Sequence, residues 1–306
     1  MEKKKLKRLL MAVFAAAFIT LTLPGTIHAA AEVKFNVYEN ANGEDMTLDR
    51  MIVQTNELAH FDVQIGGSTA EVKDVKVNKP KFMDVSVTES ASLNIGGVEE
   101  ASFSMYRITL YPTKKGDYKV TFTVEGKKYT MKVRVVDTYT YYKNVKFGSQ
   151  LVYAFKRTAS NGSYTTQTRY KYNVKGKSGK FKIENNKDIK QTVTGLIVAT
   201  TNKKGKLVLK KYKNGGNIKL SEAVHTSTSD DGLVITRDNA KYTYIFVSQK
   251  NGYTGYEYIY TIDKNEAGQN AIKYVLKHPD GTLSKPVYYT TYDEIKDHYG
   301  FRLWQE

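Results

Sequence analysis

The sequence predicts an all-β protein: an N-terminal β-sandwich, then a second β-sandwich-like domain with extra hairpins and one short C-terminal helix. Two observations carry this. After residue 31 apolar and polar residues alternate with period two almost everywhere, and the 3.6-residue helical spacing is nearly absent. Turn signals rich in Gly, Asn and Asp also break the chain into short segments, the spacing expected of stacked antiparallel sheets. The 306 residues are 41% hydrophobic and 12% aromatic, enough to bury the cores of one large or two ordinary domains. With no cysteine in the chain, disulfides, zinc thiolates, iron–sulfur clusters and cysteine nucleophiles are all excluded.

Residues 1–31 read as a secretory signal peptide. MEKKKLKR supplies a basic start, Leu9 to Leu23 is an apolar run of 15 residues, and Ala29-Ala30-Ala31 is a small-residue cleavage site. A spanning helix needs about 20 apolar residues, so no integral membrane span is expected after cleavage. No lipobox cysteine follows. Leu23-Pro24-Gly25-Thr26 resembles a sorting motif but lies inside the signal, and no apolar tail follows Arg302-Leu303-Trp304, so covalent wall attachment is not expected. Export without cysteine suits a secreted or cell-surface protein of a Gram-positive bacterium.

Residues 32–137 form the first predicted domain. Strands are expected through Phe61-Val63-Ile65, Met83-Val85-Val87, Leu93-Ile95 and Tyr106-Ile108-Leu110. The strongest unit alternates Tyr118, Val120, Phe122 and Val124, turns over Glu125-Gly126-Lys127-Lys128, and alternates again through Tyr129, Met131, Val133 and Val135. Such a hairpin buries one face and wets the other.

This hairpin, from Lys115-Gly116-Asp117-Tyr118 to the Val-alternating last strand, resembles the closing F and G strands of bacterial immunoglobulin-like (Big-type) domains. Val75-Lys76-Val77 and Met83 to Val87 suit the middle strands of the same family. The resemblance implies that Tyr118 is the tyrosine-corner residue and that Val120 stands where antibody-type domains place a cysteine. It implies a surface or secreted module used as spacer or binding domain, and no catalysis. The polar stretch Asn40 to Asp49 departs from the usual first strands of the family.

Residues 138–306 form the second domain and hold 19 of the 24 tyrosines. Tyr139, Tyr141 and Tyr142 mark the entry. Strands are expected through Leu151-Tyr153-Phe155, Tyr170-Tyr172-Val174, Phe181-Ile183, Gly195 to Ala199, Leu207-Leu209 and Ile218-Leu220. A tyrosine-rich hairpin follows, Tyr242-Tyr244-Phe246 against Tyr256-Tyr258-Tyr260 across a Lys250-Asn251-Gly252 turn. His278-Pro279-Asp280-Gly281 closes another hairpin between Ile272 and Tyr289. Thr291 and Glu294 have capping-box spacing at the head of a helix from Tyr292 to Tyr299, with Gly300 as its stop.

Charge separates the halves. Residues 32–137 carry 14 basic and 16 acidic residues, residues 138–306 carry 28 and 14, and from Lys143 to Lys219 there are 19 basic residues against Glu184 and Asp188. Lysines on exposed strands also guard edges against aggregation, yet an excess of this size exceeds what solubility needs. Alternation turns Arg169 and Lys171 away from Tyr170 and Tyr172, and Lys180 and Lys182 away from Phe181 and Ile183. Together with Lys175, Lys177, Lys203, Lys204, Lys206 and Lys210 they are the candidate polyanion-binding residues. The partners expected are an anionic cell-wall polymer, an acidic glycan or a surface partner, with nucleic acid only as a nonspecific polyanion. Tyr242, Tyr244, Tyr256, Tyr258 and Tyr260 read first as cross-strand packing neighbours and second as a candidate aromatic platform.

The search for chemistry is nearly empty. The histidines are scattered without metal-pair spacing, Gly176-Lys177-Ser178 lacks the glycine and β–α unit of a phosphate loop, and Ser221, His225 and Asp230 lack a nucleophile elbow. Asp293, Glu294 and Asp297 fit the first turns of a helix. No cofactor, metal or catalytic residue is expected. The reading is a non-catalytic exported binding or adhesion protein; an exported enzyme or carbohydrate-active accessory module, and a purely structural wall spacer, stand as alternatives.

Overall fold

The computed structural model describes residues 31–93, 102–160, 163–170, 173–202, 206–221, 226–230, 233–237, 242–291, 294–295 and 301–305. The chain divides into two compact units, one of residues up to Tyr38 with Asp45–Val136, the other of Glu39–Glu44 with Asp137–Glu306. Both are built of strands, and among the described residues no helix is long and apolar enough to cross a membrane. The expected signal segment, residues 1–30, lies outside the described residues, as do Ile95, Lys171, Tyr172, Lys203, Lys204 and most of the expected helix from Tyr292 to Gly300.

The strands of the first unit are β1 (Glu32–Phe35), β2 (Val37–Glu39), β3 (Asp45–Thr47), β4 (Arg50–Gln54), β5 (Ala59–Gly66), β6 (Lys73–Val77), β7 (Met83–Leu93), β8 (Phe103–Pro112), β9 (Gly116–Val124) and β10 (Lys127–Val136). One sheet runs β1-β5-β8-β7, the other β4-β10-β9-β6, and β4 lies parallel to β10. In chain order this is the ABED and CFG arrangement of an immunoglobulin-type sandwich, with β4 as an additional strand beside G. The sheets enclose Phe61, Val63, Ile65, Ile108, Leu110, Tyr118, Val120, Phe122, Met131 and Val133, each at most 3% exposed. The alternation expected in the closing hairpin is present: Tyr118, Val120, Phe122 and Val124 are buried between exposed or half-exposed neighbours.

Two local features explain how this hairpin forms. The Tyr118 hydroxyl donates to the Lys114 carbonyl at 2.6 Å, the upstream backbone bond of a tyrosine corner. The turn is tighter than the sequence suggested: Lys127 already pairs with Val124, which leaves Glu125 and Gly126 as a two-residue loop with both φ positive (48° and 76°). That is the type I′ geometry whose twist matches the flanking strands, and glycine takes its second position without strain. The irregular stretch after Asn36 has a cause as well. Asn36, at φ 46°, ends β1 and donates its side-chain amide to the carbonyls of Leu48 and Arg50, while Asn40 accepts from the backbone amides of Asn42 and Glu44.

The strands of the second unit are β11 (Tyr142–Phe147), β12 (Gln150–Ser160), β13 (Ser163–Tyr170), β14 (Asn173–Val174), β15 (Ser178–Asn185), β16 (Gln191–Thr201), β17 (Leu207–Tyr212), β18 (Asn217–Lys219), β19 (Thr226–Asp230), β20 (Leu233–Arg237), β21 (Tyr242–Asn251), β22 (Glu257–Lys264), β23 (Asn270–Lys277), β24 (Val287–Tyr289) and β25 (Phe301–Gln305). A five-stranded sheet, β13-β12-β11-β15-β18, faces an eight-stranded sheet centred on β21, which pairs with β16 on one side and shares its other side between β25 and β22. Val145, Phe147, Phe181, Ile183 and Ile218 from the first sheet pack against Leu196, Val198, Ile245, Val247 and Leu303 from the second. The second sheet is buried on its far side too, where Ile197, Ala199, Tyr244, Phe246, Ile272 and Ile295 form a further core. The His278 to Gly281 turn is present, with the Gly281 amide on the His278 carbonyl at 2.9 Å. The capping box is reciprocal: Glu294 N–H donates to Thr291 Oγ1 at 3.2 Å, and Thr291 N–H to Glu294 Oε2 at 3.0 Å.

Candidate anion-binding face

The basic face begins with β15. Its burial alternates strictly over Lys180 to Glu184, with Phe181 and Ile183 in the core and Lys180, Lys182 and Glu184 exposed on the outer side. Strand β11 does the same, burying Val145 and Phe147 and exposing Lys146. Antiparallel register then sets Lys146 directly opposite Lys182, Asn144 opposite Glu184, and, one strand further, Lys219 of β18 opposite Ser178. Directly opposed residues have Cβ atoms about 5 Å apart, so Lys146 and Lys182 form a like-charge pair of the kind that destabilises a sheet. Glu184, on the same face, receives Asn144 Nδ2 at 2.5 Å and lies 4.0 Å from Lys143 Nζ. Among the described residues Lys146, Lys180 and Lys182 have no carboxylate at ion-pair distance.

The structure divides the ten lysine and arginine candidates. Lys180 and Lys182 share the outer face of the five-stranded sheet, joined by Lys146 and Lys219, which sequence reasoning left out of the set. Arg169 occupies a register position on β13 opposite Ala154, in the ladder row that continues through Asn144 to Glu184. Lys175 and Lys177 are exposed in the bend before β15. The Lys175 backbone is held by the Gln150 side chain and the Lys177 carbonyl by the Leu220 amide. Lys206 and Lys210 are exposed but belong to the other sheet, on or beside β17, where Lys210 pairs with Val198. The described candidates therefore do not share one face: Arg169, Lys180 and Lys182 belong to the five-stranded sheet and Lys210 to the eight-stranded one. Lys171, Lys203 and Lys204 fall outside the described residues.

The tyrosine candidates do not lie as one flat platform. Ladder register puts Tyr258 opposite Gln249, so Tyr242 and Tyr244 are carried instead to β25, opposite Trp304 and Arg302. Tyr244 is 4% exposed and packs in the far-side core. Tyr260 packs tilted against Tyr274 at 5.0 Å and Phe246 at 5.5 Å, Tyr258 meets Tyr141 edge-on at 6.2 Å, and Tyr256 lies 6.0 Å from His278. Tyr142 continues the contact chain to Phe301 at 5.5 Å, and Phe301 to Phe181 at 5.6 Å. The rings thus form a seam that links the two cores of the unit. Burial raises the phenols of Tyr139, Tyr141, Tyr142 and Tyr260 above their ordinary value, and pushes Tyr258 up to about 12.

Of the catalytic candidates, Ser221 and Glu294 have structural tasks, while His225, Asp293 and Asp297 lie outside the described residues. Ser221 is 1% exposed and donates its hydroxyl to the Tyr242 carbonyl at 2.8 Å. Glu294 is the capping-box acid, whose carboxyl is held below the usual value by the Thr290 and Thr291 amides. Among the described residues no group of three His, Asp or Glu is placed to hold a metal ion.

No protein-family model matches the chain, and no curated protein does. Among solved structures, domains 4 and 5 of the S-layer protein SbsC align at 19% identity and a TM-score of 0.23, over 35% of this chain and 53% of that one. Domains 5–6 of the same protein align at 12% identity and a TM-score of 0.23, over 78% and 90%. The C-terminal domain of the Streptococcus pyogenes antigen I/II-family protein AspA aligns at 12% identity and a TM-score of 0.21, over 86% and 100%. Likenesses this loose carry no argument about function.

Proposed function

We propose that the chain is a non-catalytic exported surface protein whose second unit binds an anionic polymer through the outer face of β11, β15 and β18. The observation that carries this reading is the opposition of Lys146 and Lys182, flanked by Lys180 on the same face, with no acidic partner among the described residues. A like-charge cross-strand pair costs stability, and departures of that kind belong at functional sites. The first unit also sets two lysines opposite each other, Lys119 and Lys132, but there Lys132 is bound to Asp49, as Arg107 is to Asp62 and Arg134 to Asp117. In this reading it acts as a spacer.

The test is titration calorimetry of the full chain with heparin and with inorganic polyphosphate at 50 and 200 mM salt. Binding that weakens steeply with salt supports the reading through counterion release. No binding to either polymer at 50 mM salt would leave the lysines as a solvated face and overturn it.

A further inference from the structure

We infer, resting on the reading that this face binds an anionic polymer, that its ligand is a linear polyol phosphate laid along β15 and held through its phosphates alone. The cations stand in consecutive rows along β15, with Lys219 one strand to one side of it and Lys146 one strand to the other. Lys219 flanks the row of Ser178, Lys180 forms the next, and Lys182 with Lys146 forms the third. Two residues along an antiparallel strand span about 6.8 Å, so the rows repeat at that distance over about 14 Å. A diol phosphate repeat joins successive phosphorus atoms through six bonds, about 7 Å when extended, from bond lengths near 1.5 Å. One phosphate therefore meets each row. The line has a direction as well, because beyond Lys182 the next outward residue is Glu184, which repels a further phosphate.

What the face lacks narrows the ligand. Single-stranded nucleic acid has a comparable phosphate repeat, but proteins that hold it give its bases aromatic side chains to stack on. Among the described outward residues of β11, β15 and β18 there is no aromatic ring: the positions are held by Lys143, Asn144, Lys146, Ser178, Lys180, Lys182, Asn217 and Lys219, with Glu184 at the end. Tyr142, Tyr153, Tyr212, Tyr244 and Tyr260 of this unit pack instead against one or other of its cores. The face therefore offers charge at a fixed spacing and nothing for a base to rest on.

The experiment compares three probes on the full chain at 50 mM salt, matched for number of anionic groups: a poly(glycerol phosphate), oligothymidylate and a heparin fragment. The expected result is binding of poly(glycerol phosphate) at least as tight as the other two. For three phosphates engaged, one per row, its log–log salt slope should be about −2.1, a loss of about 20-fold between 50 and 200 mM salt. In the triple variant Lys146→Gln, Lys180→Gln, Lys182→Gln the slope should fall to about −0.7, with unchanged far-ultraviolet circular dichroism as the check on folding. Oligothymidylate binding tenfold tighter would point to a stacking surface elsewhere, and heparin binding tenfold tighter to a sulfated glycan. Either overturns this inference while leaving polymer binding in place. An unchanged slope in the triple variant would remove the polymer from this face and overturn both, and no binding by any probe would overturn the broader reading first.

Discussion

Lys146 on β11 and Lys182 on β15 stand directly opposite each other across an antiparallel pair, both exposed, while their neighbours Val145 and Ile183 oppose each other in the core beneath. Sequence neighbours one residue apart thus stabilise and destabilise the same strand pair. Replacing Lys182→Glu turns the repulsive pair into an attractive one and should stabilise the protein by about 0.2 to 1 kcal/mol, while weakening polyanion binding. Denaturant titration and calorimetry on the same variant read both effects. A variant that loses stability and keeps its affinity would show that the pair is neither a cost nor a contact.

In the first unit, Phe122 is fully buried, with Phe35 edge-on and Tyr129 stacked, both at 5.4 Å. Truncation to Ala should cost about 3 to 5 kcal/mol, the range for a core aromatic. Tyr118→Phe removes only the bond to the Lys114 carbonyl and should cost about 1 kcal/mol. The order of these two losses in urea titrations checks the register of β9; equal losses, or one below 1 kcal/mol for Phe122→Ala, would mean the register is wrong.

Alkaline pH acts on the tyrosine seam. A phenol whose folded value is raised stays neutral in the fold after it has ionised in the unfolded chain, so its contribution is complete below about pH 10 and is lost as pH climbs toward 12. Tyr258 is in this position, with Tyr139, Tyr141, Tyr142 and Tyr260 shifted the same way. Stability of the second unit should fall between pH 10 and 12, accompanied by a late, steep rise of tyrosinate absorbance at unfolding. Tyr258→Phe should flatten that dependence. Tyrosinate absorbance that rises at ordinary pH with no loss of structure would contradict the raised phenols of this half-buried seam.

Much of this architecture is legible in the residues themselves. The closing hairpin follows from Tyr118 to Val135, the tyrosine corner from its position in that hairpin, and the Thr291–Glu294 cap from spacing, because each depends on contacts a few residues apart. Partner choice between distant strands is another matter. Alternation says that Lys146 and Lys182 point outward, but only the register of β11 on β15, 36 residues apart, makes them neighbours. The same limit explains the tyrosines: Tyr244 and Tyr258 look like partners across a short turn, yet β21 gives its first half to β25 and leaves β22 only Gln249 and Lys250. Lys206 and Lys210 stand near Lys180 in sequence, whereas β17 and β15 lie in different sheets.

The most direct measurement of the central claim is a lysine footprint. The full chain is modified by reductive methylation at 50 mM salt with and without excess poly(glycerol phosphate), and each lysine is read by peptide mass spectrometry. The account predicts that the polymer protects Lys146, Lys180, Lys182 and Lys219 and leaves Lys76 and Lys128 of the first unit as reactive as before. Protection centred on Lys206 and Lys210, or spread evenly over every exposed lysine, would contradict it.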